Sequence, residues 1–388
     1  MNSRRDFLRQ ISGAALAAGV APAMLAWALP LQAQNVEFQG EDGMILRSFR
    51  FVDLETPVEY FNTWLTPVPH FFVRNHMHEP SGLNADDWRL TISGEVERPL
   101  TLSLGELSKL ETHTVVNTLE CAGNGRSLHR PQTPGIQWGK GAVSTARFSG
   151  PRLRDLLQHA GLKPNGKHVM FRGLDEVPGK VPPFIRSIPI EKAQDSDTLI
   201  ATHMNGAALT KHHGFPARAL VPGWVGAASC KWLTEIKVLE SEFVGNFMSP
   251  GYRFPNQPVK PGDAVKPEDT HVLTSLNVKS VISAPADGAT SKAGNLAVYG
   301  TAWAGEADIV NVDISTDGGL SWNPAKLGHE RAHYAWRLWR YEWKAKSGDY
   351  VVLSRATDSK GRVQPAAPEW NPGGYFYNAV DQVKVHVA

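Results

Sequence analysis

Apolar and polar residues alternate along several stretches of the chain, a pattern typical of half-buried strands. Residues 88–96 and 232–239 alternate in this way. Residues 169–171 and 219–221 are compact apolar runs of the kind found in buried strands. These four stretches predict strands in the first two-thirds of the chain.

Two short helices are predicted among these strands. Residues 102–110 include Ser103, a capping-type residue, near their start, and residues 153–161 end on a glycine at the C-cap position. Residues 35–85 are interrupted by four prolines and are predicted to be irregular. Together these elements predict a domain of mixed α and β structure over residues 40–262.

From residue 250 onward the pattern of the sequence is different. Residues 250–271 contain five prolines and two glycines, a composition that predicts a linker. Beyond it, short alternating runs are separated by turn signals, and they lie at residues 273–283, 296–303, 309–315, 335–343, 350–357 and 380–387. Strands at this spacing predict an immunoglobulin-like β-sandwich over residues 270–388. The predicted fold class is thus α+β, with a mixed first domain and a sandwich as the second.

The composition fits two folded domains and excludes several classes of protein. Of the 388 residues, 42% are hydrophobic and 20% are charged, so the chain can build real cores. Two cysteines are too few for a disulfide-dense scaffold, a four-cysteine zinc site or a cysteine-bound iron–sulfur cluster. Without the three Arg and one Asp of residues 1–33, 37 basic and 37 acidic residues remain. Since no basic excess is left, nucleic-acid binding is not expected.

The N-terminus has the features of an export signal. Arg4 and Arg5 precede a mild apolar run, which predicts a twin-arginine leader over residues 1–33. Cleavage fits after Ala28 or after Ala33. A permanent anchor is the alternative, but the run contains glycines and prolines, and no later stretch approaches the ~18 apolar residues that a span needs. The mature chain is therefore expected in the periplasm, without a membrane span.

Cys121 is the first candidate for chemistry, within the segment Asn-Thr-Leu-Glu-Cys-Ala-Gly-Asn-Gly-Arg at residues 117–126. A thiol between a strand-type run and a tight turn is presented toward a cavity. The nearby Arg126 favours its thiolate, the form that a soft or high-valent metal binds. Two alternatives stay open: a small buried hydrophobic residue, or a disulfide with Cys230.

Positive charge and hydrogen-bonding groups gather in a second segment. His213-Gly-Phe-Pro-Ala-Arg218 is followed by Gly-Ala-Ala-Ser-Cys-Lys-Trp-Leu at residues 226–233. His213, Arg218 and Lys231 near glycine-rich backbone suit a phosphate group. A solvated loop is the alternative for such a turn taken alone.

A third segment, Phe71-Phe-Val-Arg74-Asn75-His76, places polar residues after an apolar run. These residues are expected to emerge together at the end of a strand. The pair formed by His76 and His78 also allows a copper or zinc site.

Taken in order, these motifs resemble the sulfite oxidase family of molybdenum enzymes. The motifs are Phe-x-Val-Arg-Asn-His, Leu-Glu-Cys-Ala-Gly-Asn, His-Gly-Phe-Pro-x-Arg and Cys-Lys-Trp-Leu. Residues 317–322, 335–339 and 363–365 look like that family's C-terminal dimerisation domain. The resemblance covers nearly everything from residue 55 onward, and it is nearest to the bacterial sulfite dehydrogenases. It implies a molybdopterin-binding first domain that holds a molybdenum–molybdopterin cofactor.

The resemblance implies a role for individual residues. Cys121 matches the thiolate ligand of molybdenum. The residues that match pterin and phosphate contacts are Phe72, Arg74, Asn75, His76, Asp175, His213, Arg218, Ser229, Cys230 and Lys231. Cys230 thereby takes a backbone-contact position and not a second metal position.

The substrate pocket is implied in the same way, by Arg74, His76, Arg126, Trp138 and Tyr252. Sulfite is a small oxyanion that arginine binds through paired N–H donors, a role that the resemblance gives to Arg74 and Arg126. Tyr252 is expected to hydrogen-bond near the transferred oxygen, and His76 to assist proton movement.

One position departs from the family. Animal members have an arginine in a Trp-Asn-x-Arg-Gly segment, whereas this chain reads Trp-Asn-Pro-Gly-Gly at residues 370–374, with Gly373 in place of the arginine. One positive charge of the substrate pocket is therefore missing, and Arg253 is a candidate replacement. The departure concerns the substrate and not the cofactor.

Electrons must leave through another protein. The chain contains no Cys-x-x-Cys-His haem attachment, no Gly-x-Gly-x-x-Gly fingerprint and no recognisable cytochrome b5 segment. No haem is therefore expected in this chain. A periplasmic c-type cytochrome is the expected acceptor, with oxygen as the alternative, and the resemblance implies a homodimer.

The expected function is that of a periplasmic, molybdenum-dependent sulfite dehydrogenase. One alternative keeps the cofactor and changes the substrate, to the oxidation of sulfane sulfur or the reduction of a sulfoxide. Another is a non-catalytic periplasmic protein that binds copper or zinc through histidines and contains no pterin.

Overall fold

The computed structural model describes residues 38–39 and 43–388, so the leader predicted over residues 1–33 lies outside the described residues. The α-helices within this part of the chain are α1 (Leu104–Leu107), α2 (Leu153–Ala160) and α3 (Ile190–Ala193). No helix among the described residues is long and apolar enough to cross a membrane. Strands make up most of the regular structure.

The strands of the first domain are short and numerous. They are β1 (Phe38–Gln39), β2 (Ile45–Ser48), β3 (Asp53–Glu55), β4 (Arg89–Gly94), β5 (Leu100–Ser103), β6 (His113–Glu120), β7 (Val143–Gly150), β8 (His168–Gly173), β9 (Ile185–Pro189), β10 (Leu199–Ala201), β11 (His203–Met204), β12 (Ala207–Ala208), β13 (Arg218–Leu220) and β14 (Leu233–Leu239). β4, β8, β13 and β14 confirm the four strands predicted from apolar patterning.

Two sheets form the frame of this domain. The larger has the order β5-β4-β14-β8-β9, with β4 and β14 parallel and the other neighbours antiparallel. The smaller has the antiparallel order β12-β11-β7-β6. Apolar side chains of β4, β8, β14 and α2 pack into one buried core. The burial of this apolar surface is the main stabilising contribution to the domain.

Both predicted helices are present, and their ends follow from local chemistry. Ser103 and Glu106 form a reciprocal capping box at the start of α1. This helix is shorter than predicted because the residues before Ser103 pair with β4 as strand β5. Gly161, with φ of 73°, ends α2 in the left-handed conformation that favours glycine.

Two segments predicted to lack regular structure contain strands. Residues 35–85 include β2 and β3, which pair with each other. The predicted linker, residues 250–271, contains β15 (Arg253–Pro255). This strand pairs antiparallel with β16 (Thr270–Val272). The segment is therefore more ordered than its composition indicates, and its role as the linker between the two domains stays a prediction. Its prolines occupy turns and the end of a short two-stranded pair, where a missing N–H costs little.

The second domain is the predicted β-sandwich. Its strands are β17 (Lys279–Ala284), β18 (Ala289–Ser291), β19 (Gly294–Trp303), β20 (Ile309–Ser315), β21 (Asn323–Pro324), β22 (Lys326–Leu327), β23 (Arg337–Ala345), β24 (Gly348–Asp358) and β25 (Asp381–Val387). One sheet has the order β17-β19-β23-β22 and the other β18-β25-β24-β20-β21. Alternating apolar residues of both sheets form a separate core. The predicted fold class is confirmed.

A buried ion pair joins the two domains. Glu120, at the end of β6, accepts a hydrogen bond from the ammonium of Lys279 at 3.1 Å, and the indole N–H of Trp303 donates to its other oxygen at 2.8 Å. The amide of Asn124 also donates to the carboxylate, at 2.8 Å. Glu120 and Lys279 are both buried. The carboxylate is thus fully hydrogen-bonded, and it fixes β6 against the start of the sandwich.

We expect the variant Lys279→Met to lower the free energy of unfolding by about 3–5 kcal/mol, because the carboxylate of Glu120 stays buried without an opposite charge. Chemical denaturation measures this loss. Glu342→Gln, which breaks the exposed Arg340–Glu342 pair, is the control and should leave the free energy of unfolding unchanged within error. A Lys279→Met variant as stable as the wild type would show that the domain junction does not depend on this pair.

Candidate active site

A pocket lies in the first domain, among the segments that follow β3, β6, β8 and β13. It brings together residues that are more than 170 positions apart in the sequence. Of the predicted site residues, those that line it are Phe72, Arg74, Asn75, His76, Cys121, Asp175, His213, Arg218, Ser229, Cys230, Lys231 and Tyr252. The structure therefore brings residues of all three sequence segments together around one cavity.

Cys121 is fixed by hydrogen bonds of its own backbone. Its N–H donates to the carbonyl of Ala142 and its carbonyl accepts from the N–H of Asn124, each at 2.9 Å. Gly125 follows with φ of 87°, and a Cβ there would lie 2.8 Å from the ring of Tyr377. Glycine is therefore required for this turn. The tight turn keeps the thiol at the pocket wall, where the residue is 8% exposed.

Both cysteines are free and buried, so the alternative of a Cys121–Cys230 disulfide does not hold in this structure. Burial raises the pKa of the Cys121 thiol, although Arg74 and Arg126 act in the opposite direction. Arg126 was predicted to lower the pKa of Cys121, but the effect of burial is larger. Burial also raises the pKa of Cys230, to about 12. Without a metal both side chains are thiols, and a coordinated metal would deprotonate Cys121.

Arg74 is oriented by a carboxylate that the sequence did not reveal. Its Nη1 lies 3.2 Å from Oδ1 of Asp53 on β3, and the same oxygen accepts the N–H of Asn75 at 2.9 Å. Burial raises the pKa of Asp53, and Arg74 counteracts that shift. Burial lowers the pKa of Arg74, but Asp53, Tyr252 and Cys121 together raise it. Arg74 therefore stays charged at the pocket wall.

The opposite side of the pocket is a cradle of donors. Arg218 donates to the carbonyl of His213 at 3.0 Å and to that of Ser229 at 2.9 Å, while its buried Nε has no partner. Lys231 donates to the carbonyl of His212 at 2.8 Å and also to the side chain of Asn75. Burial is the main cause that lowers the pKa of His213, to about 3, so its imidazole is uncharged at neutral pH.

Part of the positive charge around the pocket has no carboxylate partner in the part of the protein that the structure describes. Across the described part of the chain, no carboxylate lies within 4 Å of a charged nitrogen of Arg126, Arg186, Arg218 or Lys231. The three arginines are buried. A buried charge without a partner is costly, so this region is built for an anionic ligand. The unpaired Nε of Arg218 and the donor cradle fit a phosphate-bearing pterin, and the free thiol of Cys121 fits its metal.

Tyr252 and His76 meet on a third side of the pocket. The hydroxyl of Tyr252 is in hydrogen-bonding contact with Nε2 of His76, whose ring stacks on Phe184 with centroids 4.3 Å apart. Burial, followed by the charges of Arg74 and Lys231, lowers the pKa of His76 well below its ordinary value. The imidazole is thus uncharged at neutral pH.

Tyr252 itself has an unusual backbone. Its φ is 56°, in the left-handed region that few residues other than glycine adopt. The N–H of Leu273 donates to its carbonyl at 2.9 Å, which anchors the residue to the segment after β16. Strained backbone of this kind is characteristic of functional sites.

Two predicted site residues, Arg126 and Trp138, do not line the pocket. Arg126 donates to the carbonyls of Gly373 and Ile136, each at 3.0 Å, and its guanidinium lies 5.3 Å from the ring centroid of Tyr375. Trp138 is fully buried, and its indole N–H has no partner. Trp138 packs in the same apolar cluster as Cys121, and the contact with substrate predicted for both residues stays a prediction.

Several residues at the site were not predicted from the sequence. Asp53 pairs with Arg74, Phe184 stacks on His76, and His212 lines the pocket with its Nδ1 2.6 Å from a carboxylate oxygen of Glu79. His212 was detectable as the neighbour of His213. Asp53 was not, because it lies 21 residues from Arg74 in a segment that read as irregular.

The copper or zinc alternative finds no support in this structure. His76 contacts Tyr252, whereas the ring of His78 packs edge-on against Phe51, with centroids 4.9 Å apart. Among the residues that the structure describes, no group of three or more His, Cys, Asp or Glu side chains could hold a metal ion.

Comparisons with known proteins identify both domains. Residues 76–247 match the family described as the oxidoreductase molybdopterin binding domain, and residues 270–388 match the Mo-co oxidoreductase dimerisation domain. Mitochondrial sulfite oxidase of Rattus norvegicus is 37% identical over 359 residues, covering 88% of this chain and 65% of the rat protein. Sulfite oxidase of Gallus gallus is 38% identical over 354 residues, covering 87% of this chain and 76% of that protein.

Among solved structures, the sulfane dehydrogenase SoxCD from Paracoccus pantotrophus is similar over the whole fold. The TM-score is 0.77 at 27% sequence identity, covering 95% of this chain and 96% of the other. The expected molybdopterin-binding domain, dimerisation domain and cofactor class are thereby confirmed.

We expect two thiols per chain to react with a chromogenic thiol reagent when metal-free protein is unfolded in guanidinium chloride. In the folded protein the reaction should be much slower, because both side chains are buried. Cys230→Ser should give one thiol in the same assay. No reactive thiol in unfolded, unreduced wild-type protein would mean that Cys121 and Cys230 are joined, which contradicts the site described here.

Proposed function

The chain belongs to the sulfite oxidase family of molybdopterin oxidoreductases, and from that premise we propose that it oxidises sulfite to sulfate as a periplasmic dehydrogenase. The observation that supports this proposal is a free, buried thiol, Cys121, on the wall of a pocket that also holds Arg218, a buried arginine without a carboxylate partner among the described residues. Such a pocket suits a thiolate-bound metal, a phosphate and a small oxyanion together. The chain spans 65% of the length of the rat enzyme, so the activity of that enzyme is a proposal for this one.

The residues proposed to hold the cofactor divide by chemistry. Cys121 is the metal ligand, since it offers sulfur at the wall of the pocket. The phosphate end is assigned to Arg218, Lys231 and His213, whose donors face one side of the pocket. Asp175, whose pKa burial raises, lies beside them and can share a proton with a pterin nitrogen. When bound, the molybdenum centre supplies the two-electron oxidation of the substrate.

The chain's own contribution to substrate chemistry is charge and proton handling. Arg74 offers N–H donors to the oxygens of sulfite. The reaction consumes one water and releases two protons and two electrons for each sulfite that becomes sulfate. The hydrogen-bonded pair of Tyr252 and His76 lies at the pocket, where it can relay one of these protons away from the substrate without His76 staying charged. Two one-electron transfers to a c-type cytochrome then complete the turnover, and the second domain is proposed to form a homodimer.

A second candidate keeps the cofactor and changes the substrate to sulfane sulfur. Two observations favour it: similarity to a sulfane dehydrogenase over 95% of this chain, and glycine at position 373, where animal sulfite oxidases have an arginine. A pocket with fewer arginines accepts a less highly charged sulfur compound. Sulfite stays the first candidate because the cation-rich pocket suits a doubly charged oxyanion.

Protein matured with its cofactor should contain one molybdenum per chain and reduce a c-type cytochrome when sulfite is added, without consuming oxygen. Cys121→Ser should abolish this activity while the fold persists, because an alcohol replaces the thiolate ligand. Elemental analysis, cytochrome absorbance, oxygen consumption and circular dichroism measure the four quantities.

Cys230→Ser is the matched control for the loss of a buried thiol, and it should retain molybdenum. Turnover of a thiosulfate or persulfide substrate in place of sulfite would favour the second candidate. Full sulfite activity in Cys121→Ser would remove the proposed metal ligand.

Arg74→Gln should raise the KM for sulfite by about 10- to 100-fold, the range expected for a lost charge-assisted contact. Because this change leaves Asp53 buried without its partner, the double variant Asp53→Asn/Arg74→Gln separates lost substrate binding from misfolding. Steady-state kinetics and molybdenum content are measured on both. An unchanged KM in the two variants would place the substrate away from Arg74.

A further inference from the structure

Arg186 is a buried cation that neither the sequence motifs nor the family resemblance singles out. It lies on β9 and is 1% exposed. Its Nη1 donates to the carbonyl of Phe247, whereas its Nε is buried without a partner. Over the described residues, no carboxylate comes within 4 Å of its guanidinium. Since arginine stays protonated in proteins, this charge is left uncompensated, at a considerable cost in free energy.

The guanidinium of Arg186 lies behind the pocket wall. Its central carbon is 5.1 Å from the ring centroid of Tyr252, in the geometry of a cation–π contact. Tyr252 lines the pocket, as does Phe184, two residues before Arg186 in the sequence. One aromatic ring thus separates this charge from the cavity. In such a poorly solvated environment a charge acts over a longer distance than in water.

The structure leaves no room for a side chain at position 373, the position of the family arginine. A Cβ on Gly373 would lie 2.3 Å from the ring of Tyr375. Tyr375 in turn stacks on Tyr252, with centroids 5.5 Å apart. The space into which a side chain at position 373 would grow is therefore occupied by an aromatic ring, and the pocket cannot regain an arginine there without rearrangement.

Arg253, the replacement predicted from the sequence, is used elsewhere. Its Nε donates to the hydroxyl of Thr270 at 2.6 Å and its Nη2 to the carbonyl of the same residue at 2.7 Å. These bonds join β15 to β16, and Arg253 does not line the pocket. The prediction that Arg253 compensates for Gly373 is therefore not supported by the geometry.

We propose that Arg186 is a positioning residue for the substrate anion, replacing the missing arginine by a buried charge behind Tyr252 and holding that ring against the pocket. The inference rests on the proposed function for the identity of the anion. Arg186 does not touch the substrate; it acts through the ring of Tyr252 and through the field of its charge. The carbonyl of Phe247, which it binds, belongs to the segment that leads to Tyr252.

Two substitutions separate charge from hydrogen bonding. Arg186→Gln keeps an N–H donor for the carbonyl of Phe247 but removes the charge, and Arg186→Lys keeps the charge. Arg172→Gln is the control, because Arg172 lies on the neighbouring strand β8, is exposed and makes a loose pair with Glu235 at 3.9 Å.

The holoenzymes are compared by steady-state kinetics with sulfite, by isothermal titration with sodium sulfate and by molybdenum content. For Arg186→Gln we expect the KM for sulfite and the Kd for sulfate each to rise roughly tenfold or more, with kcat and molybdenum content little changed. Arg186→Lys should stay within about threefold of the wild type in both constants. Arg172→Gln should match the wild type.

Unchanged constants in Arg186→Gln would overturn the proposal. So would equal losses in Arg186→Gln and Arg186→Lys accompanied by loss of molybdenum, since the residue would then serve only to support the fold. If Arg186→Gln does not fold, Arg186→Lys decides, because a tenfold weaker affinity for sulfate in that variant contradicts a role for charge. A wild-type enzyme that does not oxidise sulfite refutes the proposed function instead, and the sulfate affinities still decide the role of Arg186.

Discussion

Buried positive charge without a carboxylate partner is the constraint on which the organisation of the first domain depends. Arg126, Arg186 and Arg218 are buried, and their guanidinium groups rely on backbone carbonyls for hydrogen bonds. Carbonyls satisfy N–H groups but leave the net charge in place, so each arginine lowers the stability of the empty protein. An anionic cofactor and an anionic substrate would offset that cost on binding. The unpaired charges therefore lower the free energy of unfolding of the ligand-free protein. Binding of anionic ligands at this site would recover part of that stability.

The second domain takes part in this site and is not a separate attachment. The ion pair between Glu120 and Lys279 lies one residue before Cys121, so the strand that presents the thiol is fixed by the sandwich. Nearby, the N–H of Phe376 donates to the carbonyl of Ala122 at 2.9 Å, and Arg126 binds the carbonyl of Gly373. A shift of the sandwich would move both sides of the turn that carries Cys121. The arrangement of the two domains and the position of the Cys121 thiol are consequently coupled.

Sequence patterns predicted the features that depend on near neighbours. The capping residue Ser103, the glycine cap at Gly161 and the strand that precedes Cys121 need only residues within a few positions. Patterns failed where the partner is distant or the side chain can turn either way. Asp53 was hidden in a segment that its prolines made look irregular, and the hydrogen bonds of Arg126 to the carbonyls of Ile136 and Gly373 had no signal in the sequence. The direction of a long side chain is set by packing, which spacing does not encode.

As proposed, the positive charge that is missing at Gly373 is supplied by Arg186. The site then keeps the charge although a different position in the chain carries it. A cation in direct contact with an oxyanion gives both a hydrogen-bond fork and a charge, whereas a cation behind an aromatic ring gives only the charge. The fork favours one arrangement of oxygens; the field favours any anion of suitable size. With the ring of Tyr375 beside Gly373, where a side chain would start, the proposal predicts that the pocket keeps its attraction for anions and loses part of its selectivity among them. If Arg186 acts as proposed, we expect a substrate range wider than sulfite, because an anion with fewer oxygens loses less binding when a hydrogen-bond fork is replaced by a charge alone.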